Sequence, residues 1–97
     1  MRIVTISYLK EFYIKHNQAE KPIRAWIEVT EEAVWKTPHD IKKFFRYIDV
    51  LPGNRVVFNI GGNKYRLVAK INYKTGTVYT KFIGTHAEYD KIDAEKI

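Results

Sequence analysis

Five side chains in the second half of the chain are of the types that act on a phosphodiester: Arg66, Lys70, Lys81, His86 and Tyr89. An imidazole transfers protons near neutral pH, and a phenol can also carry one. Guanidinium and ammonium groups stabilise the charge that develops on a phosphorane. Together these groups suffice, with no metal, for attack by an RNA 2′-hydroxyl on its own neighbouring phosphate. DNA lacks that nucleophile and is expected to be inert.

Other chemistries find little support. No cysteine is present, which excludes disulfides and thiol catalysis. His16, His39 and His86 lack the spacing of a metal site, and the basic segment carries no acidic cluster to hold magnesium, so no cofactor is expected. Gly61-Gly62 sits in a hairpin rather than in a strand-to-helix turn, which makes it a turn and not a phosphate loop. Each candidate also has a plainer reading. Arg66, Lys70 and Lys81 could be the solvated face of an antiparallel sheet. His86 could be a helix cap and Tyr89 a packing residue with a wet hydroxyl.

The elements that would position these groups form a helical half followed by a sheet half. Residues 2 to 6 read as a first strand, and Leu9, Phe12, Tyr13 and His16 recur at helical spacing. Pro22 suits the first turn of a second helix, with an apolar stripe of Ile23, Trp26, Ile27, Ala33 and Val34 and an end near Trp35. Thr37-Pro38-His39-Asp40 reads as a helix start, followed by Ile41, Phe44 and Phe45. Pro52-Gly53-Asn54 punctuates the chain, and Arg55 to Gly84 has strand character with turns at Gly61-Gly62 and Thr75-Gly76.

If both turns are two-residue hairpins, Phe58 faces Tyr65, Val56 faces Leu67, Ile71 faces Thr80 and Ala69 faces Phe82. Alternation then puts Val57, Arg66, Val68, Lys70 and Lys81 on the opposite face, with Lys70 and Lys81 directly paired. Such a like-charge pair costs up to roughly 1 kcal/mol. A phosphate between the lysines would offset that cost, so the predicted cluster is an anion cradle near Arg66. Asp90 to Ile97 are polar and expected to fray.

At 97 residues the chain fits one domain, 1–97. Its 45% hydrophobic and 14% aromatic content argues for a folded core. The formal charge of +6 favours a polyanionic partner. The apolar runs are too short for a membrane span, and Met1 leads into a strand without a signal core, so a soluble cytoplasmic protein is expected.

Two blocks carry a family resemblance: Val57-Phe58-Asn59-Ile60-Gly61-Gly62-Asn63-Lys64-Tyr65-Arg66-Leu67-Val68-Ala69-Lys70, and Phe82-Ile83-Gly84-Thr85-His86-Ala87-Glu88-Tyr89-Asp90. With Trp35 and Thr37-Pro38, they resemble the HigB toxins of the RelE-like superfamily over nearly the whole chain. The resemblance implies an α+β RelE-like fold, with an N-terminal strand and helices on a mainly antiparallel sheet ending in a three-stranded meander, and a basic groove for RNA on the other face.

It also implies an endoribonuclease that cleaves mRNA, commonly on the ribosome, and is silenced by a HigA-like helix-turn-helix antitoxin. The toxin-antitoxin complex would bind operator DNA through the antitoxin. Arg66 matches the family's penultimate-strand arginine and Tyr89 its C-terminal tyrosine. His86 falls where relatives often carry arginine, and Asn63 and Lys64 are candidate RNA contacts. Two other classes share parts of the pattern: a non-catalytic RNA-binding module, and a ParE-like toxin acting on DNA gyrase by protein contact.

Overall fold

The computed structural model describes residues 1–97. They form an α+β fold with the element order β1 (Arg2–Val4), α1 (Ile6–Lys15), a 3-10 turn (Asn17–Ala19), α2 (Glu20–Glu32), α3 (Pro38–Lys42), β2 (Ile48–Leu51), β3 (Arg55–Ile60), β4 (Tyr65–Asn72), β5 (Thr77–Thr85) and α4 (His86–Tyr89). The five strands make one sheet in the order β1-β5-β4-β3-β2. β1 runs parallel to β5 and the other pairings are antiparallel.

The helices cover one face. Leu9 and Tyr13 of α1, one turn apart, and Ile23, Trp26 and Thr30 of α2 form the buried stripes that periodicity requires. They pack on Val56, Phe58 and Ile60 of β3, on Leu67, Ala69 and Ile71 of β4, and on Val78 and Ile83 of β5. Phe58 centres an aromatic cluster with Trp26, Trp35 and Phe45.

Several boundaries differ from expectation for local reasons. The first strand ends at Val4, and α1 already starts at Ile6 because Thr5 turns the chain in the left-handed region at φ 70°. α2 begins at Glu20, two residues before Pro22, since a proline within the first turn removes no intrahelical hydrogen bond. It ends at Glu32 rather than near Trp35. The Met1 amino group donates to the carbonyls of Thr30 (3.0 Å), Glu31 (3.2 Å) and Ala33, neutralising the negative end of the helix dipole. Val34 therefore lies outside the stripe and is 77% exposed, while Trp35 returns to the core.

α3 has the expected start. Thr37 and Asp40 form a capping box, and the amides of Lys36 and Thr37 hold the Asp40 carboxyl below its ordinary value. Phe45 packs inward, whereas Phe44 is exposed.

The sheet half contains one strand more than the meander. β2 pairs with β3 across the Pro52-Gly53-Asn54 turn, where Gly53 and Asn54 both take positive φ. Both hairpin turns are four residues long instead of two: Ile60 pairs with Tyr65, and Asn72 with Thr77. Phe58 thus faces Leu67, Val56 faces Ala69, Ile71 faces Val78 and Ala69 faces Thr80. Where the shift is two residues, between β3 and β4 and from Ala69 to Asn72, each side chain keeps its predicted face and changes only its neighbour across the strand. From Val68 back to Tyr65 the shift against β5 is one residue, so Phe82, expected opposite Ala69, meets Val68 on the face away from the helices, and Ile83 enters the core. Lys70 consequently pairs with Arg55 and Tyr79, and Lys81 is the extra residue at a bulge where Val68 meets Phe82 and Ala69 meets Thr80.

The face opposite the helices is not an open basic groove. Residues beyond α4 fold back across its middle, where Ala94 is buried against Val57 and Val68 with Leu51, Phe82, Tyr89 and Ile97 around them. Arg55 donates from Nε (2.8 Å) and Nη2 (2.6 Å) to the Ile97 backbone oxygen. Asp90 to Ile97 are therefore tied down by a small apolar cluster and a two-point guanidinium contact rather than frayed.

Candidate active site

Arg66 lies on β4 between Asn59 of β3 and Gly84 of β5, its side chain on the face away from the helices. Its Nη2 is 3.0 Å from His86 Nε2 and its Nη1 is 3.5 Å from Asp49 Oδ2. Its Cζ stands 5.0 Å from the centre of the Tyr89 ring, within cation-π range. Although the Arg66 side chain is only 17% exposed, its Nε has no partner, and neither does Oδ1 of the adjacent Asn59. Unpaired buried donors and acceptors of this kind cluster where a substrate or ordered water engages them.

The second block of sequence delivers His86 and Tyr89 to this arginine. Thr85 caps α4: its hydroxyl accepts from the Glu88 amide (3.2 Å) while Glu88 Oε1 accepts from the Thr85 amide (2.8 Å). That amide holds the Glu88 carboxyl below its usual range. The box fixes His86 as the first helical residue and sets Tyr89 one turn on. Gly84 leaves the room this requires, because a Cβ there would stand 2.6 Å from Phe82 Cζ and 3.2 Å from Glu88 Oε1. Phe82 in turn backs Tyr89 at 6.4 Å between ring centres, so the phenol ring has Arg66 and Phe82 as neighbours.

If the cap sets this geometry, Thr85→Ala should free the Glu88 amide. A lost cap costs about 1 kcal/mol, so exchange of that amide with solvent is expected to accelerate roughly fivefold, with Thr85→Ser near wild type. Unchanged exchange in Thr85→Ala, read by NMR, would show that the cap does not hold α4.

The contact with Arg66 bears on the tautomer of the imidazole. Arginine carries donors only, so a bond from Arg66 Nη2 to His86 Nε2 requires that Nε2 be unprotonated. The ring proton then sits on Nδ1, which is 3.4 Å from Asp90 Oδ2. The Asp90 carboxylate thus stands beside Nδ1 while Arg66 stands at Nε2, on the other side of the ring. An imidazole nitrogen that accepts from an arginine has the arrangement of a proton acceptor next to an anion site.

Of the seven residues expected to form the site, the fold brings Arg66, His86 and Tyr89 together. Lys70 and Lys81 are elsewhere. Lys70 is four positions along β4 from Arg66, about 13 Å at some 3.3 Å per residue. It lines a separate depression with Lys81. The Lys64 ammonium points away to Gln18 Oε1 (3.1 Å), although the Lys64 carbonyl accepts from the His86 amide (3.2 Å). Asn63 is exposed in the β3-β4 turn, and the positive φ values there belong to Gly61 and Gly62.

Three residues of the cluster escaped the sequence reading. Asp90 had a visible signal, since it is four residues from His86 on the same helical face. Asn59 became visible only with the four-residue turn that pairs it with Arg66. Asp49 depends on β2, whose four residues Ile48–Leu51 carry too little alternation to announce a strand.

Comparison with known proteins adds an independent line. Residues 19–92, spanning α2 to the end of the site, match the HigB toxin family, the RelE-like toxic component of a toxin-antitoxin system. The chain is 29% identical over 92 residues to the mRNA interferase toxin HigB of Escherichia coli strain K12, covering 93% of this chain and 88% of the relative. It shows the same identity and coverage with the mRNA interferase HigB of Shigella flexneri. With that of Escherichia coli O6:H1 strain CFT073 it is 28% identical over 94 residues, 95% of this chain and 91% of the relative. With an α+β fold compatible with RelE-like toxins and a family match over most of its length, the chain belongs to the HigB toxin family.

Proposed function

We propose that the chain, as one domain, is an mRNA interferase, an endoribonuclease that cleaves mRNA without a metal cofactor and so inhibits translation. The observation that carries the proposal is the 3.0 Å contact between Arg66 Nη2 and His86 Nε2, in which the imidazole is the partner able to accept. A phosphate arriving at Arg66 takes the guanidinium donors in the two-pronged way that suits phosphate oxygens. This releases the His86 lone pair beside the ribose.

His86 Nε2 then accepts the proton of the 2′-hydroxyl as O2′ attacks phosphorus, and Asp90 stabilises the imidazolium that results. Arg66 stabilises the phosphorane. The P–O5′ bond breaks, the leaving oxygen takes a proton from the Tyr89 hydroxyl, and the products carry a 2′,3′-cyclic phosphate and a 5′-hydroxyl. The hydroxyl of Tyr89 makes no hydrogen bond within the chain and is free for that role.

Membership of the family gives the toxin an antitoxin partner. In the same reading that partner is a HigA-like helix-turn-helix protein that also carries the complex to operator DNA. The mRNA is met on the ribosome, in the cytoplasm; no helix is long and apolar enough to cross a membrane.

The test is cleavage of mRNA, free and on translating ribosomes, in the presence of EDTA. New ends bearing 5′-hydroxyl and cyclic phosphate are expected, with 2′-O-methylated RNA and DNA left intact. Ends bearing 5′-phosphate, or cleavage of the 2′-O-methylated strand, would exclude attack by the 2′-hydroxyl.

A further inference from the structure

The depression around Lys70 and Lys81 stands apart from the Arg66 cluster. It encloses ≈ 540 Å³ and is lined by Lys70, Lys74, Lys81, Tyr79 and Asn54 among others, none of them acidic. None of the three lysines forms an ion pair anywhere in the chain, whereas Arg66 and His86 both have carboxylate neighbours. Tyr79 is Lys70's direct partner across the strand and is 38% exposed. Unpaired cations around an accessible aromatic ring are the combination that holds single-stranded nucleic acid: phosphates on the cations, a base on the ring.

One phosphate cannot serve both places. Val68 lies midway between Arg66 and Lys70 on β4, and it is covered by Ala94 of the returning C-terminal segment. That segment carries Asp90, Asp93 and Glu95 against Lys91 and Lys96, so it does not continue a basic surface from one place to the other.

We propose that Lys70, Lys81 and Tyr79 form a second RNA subsite, distinct from the cleavage site, that binds the backbone and one base of the same single strand at a nucleotide removed from the scissile phosphate. The proposal rests on the reading of the chain as an RNA-cleaving toxin. It assigns the lysines to substrate binding rather than to phosphorane stabilisation. They act on KM, and Arg66 and His86 act on kcat.

The experiment has two measurements on the full chain. The first is binding of a fully 2′-O-methylated single-stranded RNA of mixed sequence as salt is varied. Each phosphate contact contributes about 0.7 to the slope of log K against log salt for single strands. Lys70→Ala with Lys81→Ala should therefore flatten the slope by about 1.4, and Tyr79→Ala should weaken binding roughly tenfold. The second is steady-state cleavage, where the double lysine variant should raise KM with little change in kcat.

An unchanged slope overturns the subsite, as does a loss of kcat at unchanged KM. Unaltered RNA binding combined with loss of neutralisation by the antitoxin would also overturn it, assigning the depression to an acidic protein segment. The subsite and the cleavage reading fail separately. RNA binding that depends on the lysines in a protein that cuts nothing keeps the first and sinks the second. Cleavage lost in His86→Ala but indifferent to Lys70 and Lys81 does the reverse.

Discussion

His86→Ala is expected to lower the rate of RNA cleavage at saturating substrate by roughly 10²–10⁴-fold, the usual worth of a positioned proton-transfer group. Arg66→Ala should do at least as much. It removes the group that stabilises the phosphorane and, with it, the contact at His86 Nε2. Because the two residues act on one another as well as on the substrate, the double variant should fall far short of the product of the single losses.

The fold should survive these changes. His86 is exposed and belongs to the four-residue helix α4, and Arg66 is one of eight residues in a strand paired on both sides. Circular dichroism and melting near wild type, with cleavage gone, are thus the expected pair of results. Asp90→Asn keeps an acceptor near Nδ1 but removes the charge that stabilises the imidazolium, so a smaller loss than for His86→Ala is expected. Full cleavage by both His86→Ala and Arg66→Ala would remove this cluster from the reaction altogether.

The sequence makes the face of a strand residue legible, but not its neighbour across the strand. The face of each residue on β3 and β4 was correct because it depends only on parity, whereas on β5 the bulge at Lys81 reverses the parity and carries Phe82 to the face opposite the one expected. Strand alternation separates Phe58, Leu67 and Ile71 from Val57, Arg66 and Lys70 under either turn length. The neighbour of each residue was not, since register depends on whether Gly61-Gly62 closes a two-residue or a four-residue turn. Glycine permits positive φ in both cases. The error moved Lys81 from direct pairing with Lys70 to a bulge, which leaves the two lysines lining one depression that stands apart from Arg66.

The Arg66, His86 and Tyr89 cluster was reached through resemblance rather than register. The structure supplies what the sequence lacked, a capping box and a glycine that carry α4 back over β4. The C-terminal segment was misread because its composition is polar. A buried alanine and one isoleucine, with the guanidinium of Arg55, are enough to order eight residues against a sheet that would otherwise expose Val57 and Val68.

Phe58→Ala is expected to produce the largest loss of stability. The ring is fully buried, with Phe45 and Trp26 edge-on at 5.1 and 5.4 Å and Trp35 stacked at 6.2 Å. Truncating such a phenylalanine costs about 3–5 kcal/mol. Two details favour the lower end. The indole Nε1 atoms of Trp26 and Trp35 are buried without partners, so the native core already bears two unpaired donors. The cavity left by Phe58 lies between those rings, and water admitted there can pair with one or both.

A loss of about 3 kcal/mol is still a large part of the roughly 5–15 kcal/mol available to a domain. It corresponds to a fall in Tm of roughly 12–24 °C at about 4–8 °C per kcal/mol for a domain of this size. Phe58→Leu, which fills most of the space and keeps the donors dry, should lose less. A Tm within a few degrees of wild type for Phe58→Ala would show that the aromatic cluster is not what joins the helices to β3. Cleavage in this variant should fall with the folded fraction and return on cooling, unlike the loss in His86→Ala, which persists in a folded protein. The two variants thereby separate the residues that build the sheet from those that use it.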